Sequence, residues 1–250
     1  LVKEIARLDN MQMAKKIQLN SAYGALGNKW FRWFDVNNAE AITMSGQLSI
    51  RWIENKINGY LNDLLETKNK DYVIASDTDS IYITLDGLVN HVFPNGADEL
   101  KIVEFLDTAC KKRIEPFIDK SYQELADNMN AYAQKMQMKR ENIANKGIWK
   151  AKKMYILNVW NSEGVQYEKP KLKMMGIEAV RSSTPTACRD SIKKSLEIIM
   201  NGTEEDLQKY IAEFRIKFRT LGFSDIAFTR GVKDIEKWYR FGRFESGTPI

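Results

Sequence analysis

Histidine is nearly absent from this 250-residue chain, His91 being the only one. A histidine-rich metal centre is therefore excluded, and a His-dependent triad would have to rest on that single side chain. Cysteine is almost as scarce. Cys110 and Cys188 lie far apart and form no CxxC pair, which removes zinc-ribbon chemistry and reads as two reduced thiols in a cytosolic protein. No run approaches the roughly 18 uninterrupted apolar residues of a membrane-spanning helix. The opening LVKEIARLDN lacks the basic-then-apolar pattern of a signal peptide and starts without Met, as if cut from something longer. Internal repeats, low-complexity tracts and a basic amphipathic helix of the membrane-surface kind are missing too. Any catalysis must come mainly from carboxylates, Lys/Arg, Tyr or Ser.

What is present is ordinary globular material, 44% hydrophobic and 28% charged, enough for one large domain or two smaller ones. Lys and Arg number 38 against 33 Asp and Glu, a net charge of +5 that points only weakly to a polyanionic partner. Apolar spacing predicts a helix over residues 10–28, with Asp9 or Asn10 at its start, and another over residues 39–66, interrupted by Gly46 and Gly59. The period then shortens to two. YVIA and SIYITL flank Ser76-Asp77-Thr78-Asp79, which predicts a hairpin. Helices follow over residues 98–116 and 117–137, then a basic stretch over residues 139–153 (Lys139, Arg140, Lys146, Lys150, Lys152 and Lys153 against Glu141). Strands over residues 154–160 and after Gly164, then helices over residues 186–200 and 204–221, complete an α+β pattern without regular βαβ alternation.

Asp77 and Asp79 are the first chemical signal. In extended backbone, residues two apart share a face. Two carboxylates within about 4 Å repel by roughly 1–4 kcal/mol, so such a pair calls for a cation or a shared proton. Oxygen donors without His or Cys favour Mg²⁺ or Mn²⁺. The strand after Ser80 offers no further EF-hand ligands, whereas metal-assisted phosphoryl transfer uses pairs of this kind. An acidic turn without a ligand is the competing reading. The second signal is KIQLNSAYG, in which Lys16, Asn20 and Tyr23 project from one helical face beside Gly24. That face offers a cation for phosphates, an amide and an aromatic plate, or simply a solvated polar face.

Together, KxxxNSxYG (Lys16, Asn20, Ser21, Tyr23, Gly24) and the later DTDS hairpin (Asp77, Thr78, Asp79, Ser80) resemble family B DNA polymerases. Lys152-Lys153-Met154-Tyr155 is similar to that family's KKRY primer-gripping element, and NSAYGALGNKWFRWFD and KPKLKMMGIEAVRSSTP resemble its T-even-type bacteriophage replicative members. The likeness runs over nearly the whole chain. It implies a polymerase palm, an antiparallel sheet with helices packed on one face, over residues 29–176. Part of the fingers would occupy residues 1–28 and the start of a helical thumb residues 177–250. It implies that Lys16 contacts the incoming triphosphate and that Asn20 and Tyr23 line the nascent base pair. Asp79 would ligate metal directly, with Asp77 in a supporting role. Lys153 and Tyr155 would hydrogen-bond the primer end, and Lys152 would meet the phosphate backbone.

Two positions depart from the family pattern. Ser76 stands where Gly usually precedes DTD, and Met154 replaces the Arg of KKRY, removing a cationic contact and with it some salt-dependent primer affinity. Nothing before Lys16 resembles the family's upstream palm strand, which carries another metal-binding Asp and a ribonucleotide-excluding Tyr. The other fingers helix and the 3′–5′ exonuclease are not recognisable either. The expectation is thus the C-terminal portion of a DNA-directed DNA polymerase, performing two-metal-ion nucleotidyl transfer from dNTP to a primer 3′-hydroxyl. By itself it would be inactive or nearly so. Its partners would be primer–template DNA, dNTP, Mg²⁺ or Mn²⁺, an N-terminal polymerase/exonuclease polypeptide and, through a tail beyond the thumb, a sliding clamp. It would be phage-encoded and work in bacterial cytoplasm, with no membrane partner. The alternative is a catalytically silent primer–template DNA-binding module using residues 139–173 and the thumb helices as a clamp.

Overall fold

In the computed structural model the chain is described over residues 2–229 and, beyond them, at residues 236, 239–240 and 243–244. The first helix, α1 (Val2–Leu26), begins earlier than periodicity predicts and runs through Asp9 and Asn10, so neither is a cap. Good helix formers before them carry the backbone on, and Glu4 pairs with Arg7 at 2.7 Å one turn later. No residue of α1 is buried. The cap appears instead at Asp35, whose Oδ1 accepts from the backbone N–H groups of Asn37 at 2.9 Å and Asn38 at 3.2 Å. It opens α2 (Val36–Leu64), which Gly46 and Gly59 do not break. Each glycine costs roughly 1 kcal/mol in a helix interior. Burial of Ile53, Ile57 and Leu61 along one face, at roughly 1.5–3 kcal/mol each, outweighs that cost.

The chain divides into two compact units, Leu1–Asp98 with Thr108–Lys139, and Glu99–Asp107 with Arg140–Ile250. In the first unit, Ile53, Ile57 and Leu61 of α2 form one core with Ile118, Tyr122 and Leu125 of α5 (Glu115–Asn128) and with Tyr72 and Val73. Tyr60 stacks on Phe117 at 4.4 Å, and the Trp52 indole N–H donates to the Ser121 carbonyl at 2.8 Å. Strands β1 (Val73–Asp77) and β2 (Ser80–Ile83) pair antiparallel against this core.

A short helix unforeseen from the sequence, α3 (Asp86–Val92), follows, with His91 exposed in its last turn. The two helices expected over residues 98–137 are one helical run: α4 (Glu99–Ala109), a π-helical turn (Cys110–Ile114) and α5. Proline normally breaks a helix by losing an N–H and crowding the carbonyl four residues back. Here the wider π turn just ahead of Pro116 lets the helix continue.

In the second unit, β3 (Asn142–Ala151), β4 (Met154–Ser162) and β5 (Val165–Met175) form an antiparallel sheet in that order. The basic stretch expected over residues 139–153 is thus mostly a strand, hidden from pattern reading by its lysines, Gly147 and repeated bulges. From the sheet, Ile156, Leu172 and Met174 pack with Ile177, Ala179 and Met200, and with Ile192 and Leu196 of α6 (Thr186–Asn201). The Lys146 ammonium donates to the Met200 carbonyl at 2.7 Å, fastening the end of α6 to β3. Helix α7 (Glu204–Phe218) starts with a Thr203/Asp206 capping box, and the four-residue α8 (Phe223–Ile226) comes next. A two-residue pairing joins β6 (Tyr239–Arg240) and β7 (Arg243–Phe244). The fold is a mixture of helices and small antiparallel sheets, as the α+β reading expects. No helix among the described residues is long and apolar enough to cross a membrane.

Candidate active site

Construction of the site begins at the base of the β1–β2 hairpin. The Asn58 side-chain oxygen, on α2, accepts from the backbone N–H of Tyr72 at 2.8 Å and of Val73 at 3.1 Å. The buried Tyr72 hydroxyl lies 2.8 Å from Thr67 Oγ1, and Thr84 N–H donates to the Tyr72 carbonyl at 2.9 Å. The base of the hairpin is therefore fixed, while its tip carries the acids.

At that tip Asp77 pairs with Ser80, leaving Thr78 and Asp79 as a two-residue turn. The backbone bends sharply, with Thr78 at φ 55° and Asp79 N–H donating to the Asp77 carbonyl at 2.6 Å. This corrects the expectation of extended backbone, because residues 77 and 79 do not share a pleat. Both belong to the tip because the turn between the strands is so short. Asp77 Oδ1 accepts from Thr78 Oγ1 at 3.0 Å, and Ser80 Oγ donates to the Asp77 carbonyl at 3.1 Å. Asp77 is half-buried and Asp79 exposed. Behind them stands Tyr122, 3% exposed, whose hydroxyl pKa is raised by burial and secondarily by the charge of Asp79. Neither Asn58 nor Tyr122 stood out in the sequence. Tyr122 lies on the α5 apolar face, where it read as core, and an Asn within a helix carries no pattern of its own.

The donor set at the tip is oxygen only, which suits a hard divalent cation. It is also incomplete. Among the described residues no group of three or more His, Cys, Asp or Glu side chains is placed to hold a metal.

Lys16, Asn20 and Tyr23 all lie on α1, exposed on the helical spacing expected. Their side chains make no hydrogen bond or ion pair among the described residues. A Cβ at Gly24 would meet nothing within 4 Å, so no neighbour among the described residues demands a glycine there.

In the second unit, Lys152 and Lys153 form the turn between β3 and β4, where Ala151 pairs with Met154. Both lysines are exposed, and Tyr155 is 7% exposed on β4. Other basic residues of this unit pair within the fold. The Arg140 side chain, 8% exposed, pairs with Asp107 and donates to Asn161 Oδ1 at 2.7 Å. Lys150 pairs with Glu178 at 3.4 Å and Lys173 with Glu141 at 3.1 Å.

Comparison with known proteins gives the family. The sequence profile of DNA polymerase family B matches residues 2–125, which include both the α1 face and the hairpin tip. The chain is 42% identical to the DNA-directed DNA polymerases of Enterobacteria phage T4 and Escherichia phage RB69, over 91% of its own length and 26% of theirs. It is 26% identical to a DNA polymerase of Pyrococcus glycovorans over 82% of this chain and 22% of that one. The chain thus spans about a quarter of the length of the curated relatives it matches.

Proposed function

This chain belongs to DNA polymerase family B, and we propose that it contributes the acidic hairpin, a nucleotide-contacting helix and a primer-contacting turn to a phage-encoded DNA-directed DNA polymerase working in a bacterial host. The observation that carries this reading is the placement of Asp77 and Asp79 at the tip of a hairpin whose base Asn58 fixes, inside the region the family profile matches. In this reading residues 1–28 belong to the fingers, 29–176 to the palm and 177–250 to the thumb.

Asp79, exposed in the turn, and Asp77 beside it would hold Mg²⁺ or Mn²⁺. Bound there, the cations would neutralise charge as the primer 3′-hydroxyl attacks the dNTP α-phosphate and pyrophosphate leaves. Thr78 Oγ1 orients one Asp77 oxygen. Lys16 supplies a cation for the triphosphate, and Asn20 and Tyr23 present an amide and an aromatic ring to the nascent base pair. The open space at Gly24 lets a base or sugar approach the α1 backbone. Lys152, in the exposed turn, meets the phosphate backbone, and Lys153 with Tyr155 on the strand that follows hydrogen-bonds the primer end.

Two carboxylates are too few to enclose two metal ions. Extension of a labelled primer on a template, with Mg²⁺, is therefore expected to be absent or nearly so with the 250-residue chain alone. It should appear when the upstream part of a family B polymerase is added. Robust extension by the chain alone would remove the need for an outside carboxylate. DNA binding without extension in either case would reduce the chain to a silent primer–template-binding module.

A further inference from the structure

The Lys152–Lys153 turn has an unusual backbone. Lys153 sits at φ 60°, in the left-handed region that hairpin turns normally give to Gly or Asn. A strained backbone kept for a long cationic side chain points to a role for that side chain. Directly beside the turn, past the end of β5, lies Gly176 at φ 67°. A Cβ on Gly176 would run into the Lys153 carbonyl oxygen, and would lie 3.2 Å from both the Lys153 carbonyl carbon and Met154 Cγ. The residues that follow hold this contact in place. Arg181 Nη2 donates to the Gly176 carbonyl at 3.0 Å, and Glu178, on the single 3-10 turn Glu178–Val180, pairs with Lys150 near the end of β3.

The other end of β4 provides a natural contrast. Gly164 closes the β4–β5 turn at φ 89°, equally left-handed, yet a Cβ there would meet nothing within 4 Å. One glycine is needed for its φ alone. The other is needed for its φ and for the close approach of a lysine carbonyl.

We propose that Gly176 is a positioning residue, and that the segment from Gly176 to Arg181 braces the Lys152–Lys153 turn so that both ammonium groups meet primer-strand phosphates. This rests on the reading of that turn as a DNA contact. The test is primer–template affinity of the complete protein as a function of salt. Lys152→Ala with Lys153→Ala should weaken binding and flatten the plot of log affinity against log salt by about 0.9 for each phosphate no longer neutralised. Gly176→Ala should weaken binding by about tenfold with the same flattening, and should add little to the double lysine variant. Gly164→Ala, which carries the same φ penalty, should lower the melting temperature but leave affinity and salt slope unchanged.

Should Gly176→Ala not fold, Arg181→Gln releases the clasp on the Gly176 carbonyl. Its effect on affinity should likewise vanish in the double lysine background, whereas an arginine that itself touched phosphate would keep its effect there. The positioning role is overturned if Gly176→Ala binds like the unaltered protein, if its effect adds in full to that of the lysine variants, or if Gly164→Ala weakens binding as much. If the double lysine variant binds DNA normally, the reading of the turn as a DNA contact fails first, and the positioning role with it.

Discussion

Thr78 does much to shape the candidate active site, although it carries no charge. Its left-handed backbone brings Asp79 round to the tip that Asp77 begins, and its hydroxyl fixes one Asp77 oxygen. The acids themselves were legible in the sequence, because two carboxylates between apolar strands demand an explanation. The bend was not, because Thr seldom adopts a left-handed conformation and no pattern announces it. Asn58 escaped notice for a related reason: its partners, Tyr72 and Val73, are brought to it only by the fold. Asn58→Ala would strip those buried N–H groups of this acceptor, at a cost of about 1–3 kcal/mol, read as a lower melting temperature. Tyr122 makes a pH-dependent contribution. Its hydroxyl pKa is raised in the folded state, so the stability it confers is complete below the ordinary tyrosine value of 10.0 and is lost as pH rises through the raised value. Tyr122→Phe should therefore flatten the alkaline decline in thermal stability, and an unchanged decline would assign it to other groups.

Long amphipathic elements were legible and short or irregular ones were not. The apolar face of α2, with Ile53, Ile57 and Leu61 at helical spacing, reads directly from the chain, as do α6 and α7. Strand β3 does not, since alternation is broken by bulges and the strand carries Lys146, Gly147 and Lys150. The π turn before Pro116 is likewise invisible, because proline predicts a helix end and only tertiary packing keeps the run together. Within α2, Gly59 is exposed and a Cβ there would meet nothing within 4 Å. Gly59→Ala should therefore stabilise the protein by about 0.5–1 kcal/mol, chiefly by restricting the unfolded chain. A drop in stability on thermal unfolding would mean that α2 needs a glycine there for a reason other than helix propensity.

Across the whole molecule, the sequence overstates the charge available to DNA. Of the basic residues between Lys139 and Lys173, Arg140, Lys146, Lys150 and Lys173 all have partners within the fold. Such partners are set by tertiary structure, which counting residues cannot supply. Family membership, by contrast, was readable from short motifs, and the chain is 42% identical to the phage polymerases over 91% of its length. Everything proposed for catalysis converges on the acidic hairpin tip. The decisive measurement is Mg²⁺-dependent primer extension by the complete protein carrying Asp77→Asn with Asp79→Asn, alongside its affinity for the same primer–template. A fall in extension by several orders of magnitude, with DNA binding and melting temperature preserved, is the predicted result. Extension at the unaltered rate would contradict the assignment of the tip as the catalytic carboxylate pair.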